Sequence, residues 1–247
     1  MRKPPLYIRK ANIDDATIRY PWDDWNVEGL IGPPSQTLLE DISRLSLRAG
    51  FAFLTASAEW VVYRFANLTD ISIPLDATNS AWAQDIHRLY CTPRSPFRTE
   101  NWSGPVRGPI RTALGLLRDY ADLLGQKAEM AQGCGEVFAL LEHIISRREA
   151  LYRWRDHTIT RFKKHFGRNL DDPLGDPVPR EALDPEFNFE PGSTELLLNQ
   201  YLGGLEPGKS LFLMLPDTML DSGFMNTPYC FQLEADRAYR QIKRPEE

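Results

Sequence analysis

Between Glu136 and Phe166 the chain places Phe138, Leu141, Ile145, Arg148, Tyr152, Arg155, Ile159, Phe162 and Phe166 at gaps that alternate between three and four residues. An α-helix turns once in 3.6 residues, so this spacing sets all of these side chains on one face. A seam of that length constrains the fold more than any other feature. It predicts one continuous helix of about thirty residues, ended by Gly167, with its apolar face buried against other helices.

The same reasoning finds more helices upstream. After Pro34, with Ser35 as N-cap, Leu38, Ile42, Leu45, Ala49, Ala52, Ala56 and Tyr63 share a face, with Gly50 as a possible kink. A second helix is expected over residues 79–90. A third starts near Pro109, since proline suits a first helical turn, and runs to Gly125. Residues 1–34 carry Pro4, Pro5, Pro21, Pro33 and Pro34, which predicts an extended arm. Residues 92–108, with Pro93, Pro96, Gly104 and Pro105, read as loop. Residues 168–192 form an acidic, proline-rich connector that either links or wraps. Residues 193–247 make a C-terminal lobe on the core, with helices over 194–202 and 233–242, an extended segment at 210–216 and turn chemistry at 223–231. The expected fold is mainly α: a multi-helix bundle over 35–167 with one or two long helices, a proline-rich arm and a partly irregular tail.

The chain has 247 residues, a net charge of −5 and three cysteines without a CxxC pair. The charge argues against bulk attraction to nucleic acid or anionic membrane, although it allows a local basic patch. The odd cysteine count fits a reducing compartment. The most apolar stretch, residues 49–66, contains Glu59 and Arg64 and is short for a bilayer span. With no leader-like segment apparent, the expectation is a cytoplasmic, non-membrane protein.

Several groups of residues could carry function. Trp22, Asp23, Asp24 and Trp25 give the arm an acidic aromatic motif suited to a protein partner. Arg148 and Arg155 lie in the helical seam, where a buried charge needs a counter-charge. The expectation is that one of them meets Glu59, or that both receive an anionic ligand. Arg153, His157, Arg161 and His165 are spaced by four, which puts them on one face. Histidine moves protons and arginine stabilises a charged phosphorane, so this stripe could serve metal-independent cleavage of RNA. Residues 143–168 hold eight Arg/Lys against two acids, and residues 169–195 hold eight acids against one Arg. Adjacent blocks of opposite sign predict that the connector folds back on the basic helix. His87 and Cys91 could be half of a metal site, but no second pair matches, so no metal and no cofactor is expected. The turn with Arg107 and Arg111 reads as an ordinary helix entry.

No hydrolase, kinase, metalloprotease or calcium-loop motif is present. The leading expectation is therefore a non-enzymatic protein-interaction protein, such as an immunity- or antitoxin-like partner or an accessory subunit, with homo-oligomerisation possible. The alternatives are a nucleic-acid-binding protein or ribonuclease using the Arg/His face, and a sensor of anionic small molecules.

Overall fold

A computed structural model describes residues 4–13, 17–92, 97, 100–222 and 227–242. Its helices are α1 (Leu6–Ala11), α2 (Val27–Ile31), α3 (Gln36–Ser43), α4 (Leu47–Arg64), α5 (Ser72–Ile86), α6 (Gly104–Gly125), α7 (Ala131–Ile144), α8 (Glu149–His165), α9 (Thr194–Gly203), α10 (Pro216–Asp221) and α11 (Leu233–Ile242). The described residues contain no β-strand, only isolated bridges between Leu45 and Gly167 and between Cys91 and Leu213. The mainly α, multi-helix architecture is as the periodicity predicts. No described helix is long and apolar enough to cross a membrane.

Helix α4 explains the arrangement. All of its 18 residues are buried. Its sequence is apolar on every side, and a helix without a polar face must be enclosed. Helices α5, α6 and α7 enclose it. The approach of α7 requires Gly50, because a Cβ there would stand 2.7 Å from Met130 Cβ. Gly50 lies inside α4 without breaking it. The chain breaks earlier, between Ser43 and Leu47, and Ser46 caps α4 by accepting a bond from Ala49 N at 3.2 Å.

Buried helix ends leave backbone groups that need partners. The connector meets this need at the N-terminus of α4. Pro173 O and Leu174 O accept bonds from Leu47 N and Arg48 N at 2.9 and 3.1 Å. Gly175 follows at φ +72, where the Ser46 side chain also leaves no room for a Cβ. The connector therefore wraps the body, and it buries Val178, Ala182 and Leu183. Residues 4–13 and 17–34 also pack on the body. Ile8 is buried, and Tyr7 stacks on Trp154 at 5.7 Å between ring centroids.

Three expected boundaries need correction. The seam from Glu136 to Phe166 is two helices, since Ile145 turns extended (φ −103, ψ 115) and α8 begins at Glu149. Buried Arg64 makes this break tolerable by donating to Ile144 O at 3.3 Å. The second helix begins at Ser72, seven residues before the expected start, with Pro74 in its first turn. The third begins at Gly104 and has Pro109 inside it. Pro109 has no N–H to give to Pro105 O, and the Tyr20 hydroxyl donates to that carbonyl instead.

The C-terminal lobe has its own apolar cluster, including Tyr90, Leu202, Met219 and Phe231. Residues 210–216 pair with residues 90–92 through Thr92 N to Phe212 O (2.8 Å) and Met214 N to Tyr90 O (2.9 Å). The start of the 223–231 turn, and Pro93 and Pro96 of the expected loop, lie outside the described residues.

Candidate ligand-binding groove

Small residues of α5 and α6 line a cavity between the two helices. Ala77 and Ala81 on α5, and Ala121 and Gly125 on α6, leave space that larger side chains would fill. The result is a cavity of about 430 Å³ whose walls include Leu114, Leu117, Phe97 and Phe212. Phe97 and Phe212 stack with their centroids 6.2 Å apart. A second cavity of about 190 Å³ shares Gln84, Arg88, Ala121 and Gly125 with the first and continues toward α11. Its lining adds His87, Lys127, Arg48, Asp236 and Arg240. The groove is apolar at one end and charged at the other.

The charged end is ordered by ion pairs. Arg48, buried in α4, donates to Asp236 Oδ2 at 2.8 Å, to Gly175 O at 3.0 Å and to Ile86 O at 3.0 Å. Arg240 pairs with Asp172 and Asp176, the latter at 2.8 Å, and Arg237 also takes Asp176 at 2.6 Å. Helix α11 is thereby pinned to the connector and to α4. The connector does fold back, but Asp172 and Asp176 are neutralised mainly by α11.

Two ionisable groups on α5 are displaced from their ordinary behaviour. Asp85 is buried, which pushes its carboxyl up to about 7, with Asp236 adding to the rise. Arg48 and the bond from Val178 N (3.0 Å) oppose that rise. Among the described residues, Asp85 Oδ1 has no hydrogen-bond partner. His87 is pushed down to about 4, mostly by burial and then by the charges of Arg48 and Arg88, against Asp236. Its Nδ1 accepts from Leu89 N at 3.2 Å, which places the proton of the neutral ring on Nε2. Cys91 donates to Ser80 O, and burial raises its thiol far above the usual range, so it is not a reactive thiolate. His87 and Cys91 are thus each engaged locally. Among the described residues no three His, Cys, Asp or Glu side chains gather as a metal site requires.

The residues singled out from the sequence fall elsewhere. Asp24 receives Gly104 N at 2.7 Å, Trp22 Nε1 at 3.0 Å and Arg111 at 3.2 Å, so it caps the start of α6. Asp23 accepts from Trp25 N in a local turn, and the Trp25 residue stands 90% exposed. Arg148 is exposed and bonds Ile145 O. Arg155 pairs with Asp156 and lies over the Phe138 and Tyr152 rings. Neither arginine meets Glu59. That carboxylate, fully buried, pairs with Arg180 of the connector at 2.6 Å, and this corrects the expected partner. Along the Arg/His stripe, Arg153 is exposed. The Arg161 guanidinium is committed to the carbonyls of Ala182, Asp184 and Phe187 at 2.8–3.0 Å. His157 has a buried, unpartnered Nε2 and a pKa lowered by burial, then by Arg161. His165 packs edge-on against Phe189, and its pKa is lowered by burial and nearby cations. This face is where the connector lies.

Sequence reasoning missed the groove. Its one visible signal is the i,i+4 pairing of small residues, Ala77 with Ala81 and Ala121 with Gly125, which periodicity alone assigns to helix packing. No family model, curated protein or solved structure matches the chain.

Proposed function

We propose that this chain binds a small, largely apolar molecule in the groove between α5 and α6. The observation that supports this reading is the pair of adjoining cavities of about 430 and 190 Å³ that share four lining residues. Together they fall in the size range of small-molecule sites, and apolar walls with a few polar groups at one end are typical of such sites. The reading keeps the idea of a small-molecule sensor but moves it from Arg148 and Arg155 to α5 and α6. A thermal-shift screen of medium-chain and arylalkyl compounds tests it. A ligand that stabilises the parent protein and not the groove-filling Ala121→Phe variant supports the reading. Stabilisation unchanged in that variant removes it.

A protein-interaction role has a specific observation of its own. Trp25 stands 90% exposed beside Trp22 and Asp24, which are fixed against α6. A rigidly presented, exposed tryptophan suits an anchor for a partner's apolar pocket, as an immunity-like or accessory role requires. If a partner is captured, Trp25→Ala abolishes the capture without altering the melting temperature. Capture that survives this change removes the reading.

A further inference from the structure

The charged end of the groove is rich in donors and poor in available acceptors. Its carboxylate, Asp236, is occupied by Arg48 and Arg240. Arg88 and Lys127 are both exposed at the rim, and neither has a carboxylate partner among the described residues. Two features act against an anion here: α5 and α6 both end at this side of the groove, each with roughly half a negative charge from its terminal carbonyls. Arg88 and Lys127 carry a full positive charge each, so the local balance stays positive. The first cavity is otherwise lined mainly by apolar side chains, and its further exposed charges are Asp122 and Arg118, the latter paired with Asp119.

We infer that the ligand is an amphipathic organic monoanion, a carboxylate with an apolar tail. Its head sits between Arg88 and Lys127, and its tail runs over Leu117 toward Phe97 and Phe212. A guanidinium meets a carboxylate with two parallel N–H bonds, whereas a lysine supplies a point charge. The tail gains by leaving water against leucine and phenylalanine walls. This inference rests on the groove reading above and adds the charge of the ligand.

The test compares three molecules with the same tail, decanoate, decan-1-ol and decylammonium, by titration calorimetry at low salt on the full chain. Decanoate is expected to bind about tenfold more tightly than either of the others, the scale of two solvent-facing charge pairs. The double variant Arg88→Ala/Lys127→Ala changes only exposed side chains. It is expected to lose that tenfold advantage of decanoate over decan-1-ol. Equal affinities for the three probes, or a decanoate affinity unchanged in the double variant, overturn the inference while the groove reading stands. No binding by any of the three overturns both.

Discussion

Asp85→Asn should reshape the pH dependence of stability, because Asp85 and His87 pull it in opposite directions over one window. Asp85 titrates near 7 in the folded chain against an ordinary value of 3.8. A group whose folded pKa is raised contributes stability that is present below its unfolded pKa and lost as pH rises through the folded value. At about 1.36 kcal/mol per unit, Asp85 therefore costs roughly 4 kcal/mol between pH 4 and 7. His87 runs the other way. Its folded value is near 4 against 6.5 unfolded, so the unfolded chain holds the extra proton and stability rises from pH 4 to 6.5 by about 3 kcal/mol. The two contributions nearly cancel in the parent protein. Asparagine keeps an acceptor for Val178 N and removes the titration. Urea unfolding of parent and variant at half-unit steps from pH 4 to 8 gives the difference, in which all other carboxylates drop out. That difference should shift by roughly 4 kcal/mol in favour of the variant as pH rises from 4 to 7. A difference that stays flat within about 1 kcal/mol would refute the assignment of a buried, proton-binding Asp85.

Other changes test the packing directly. Arg180→Met leaves Glu59 buried without its counter-charge and should cost about 3–5 kcal/mol by chemical denaturation, while Glu59→Leu/Arg180→Met should recover most of that loss. Gly108→Ala would put a Cβ 2.3 Å from Trp22 Nε1, so it should destabilise by about 1–3 kcal/mol and alter tryptophan fluorescence; an unchanged spectrum would show that the arm is not seated there. Ser46→Ala removes the side-chain cap of α4 and should cost about 1 kcal/mol, read as a lower urea midpoint at unchanged slope. Arg161→Met frees three connector carbonyls, and limited proteolysis should cut within residues 180–190 faster than in the parent; equal rates would mean that the connector is held by other contacts.

Local signals located the individual helices well where the terminating residue was itself local. The expected helix over 233–242 is α11, and the expected start of α9 at Thr194 is observed. The bounds failed where a distant group satisfies the end of a helix. The spacing from Phe138 to Phe166 runs through Ile145 unbroken in sequence although the chain turns extended there, and the Ile144 carbonyl is met by Arg64, which is distant in sequence. Pro109 reads as a helix start, since nothing nearby shows that the Tyr20 hydroxyl will serve Pro105 O.

That the protein is helical follows from its apolar spacing, which is a property of neighbours along the chain. The sequence also indicates that Glu59, in an apolar helix, needs a counter-charge, because burial of an unpaired charge is costly wherever it occurs. Only the tertiary structure decided which groups supply counter-charges. Arg180 reaches Glu59 from 121 positions away, and Asp236 reaches Arg48 from 188. The groove belongs to the same class of fact. Alanines that local spacing assigns to close helix packing line open space instead, and α5 and α6 both pack on α4, so the space between them depends on contacts made far along the chain.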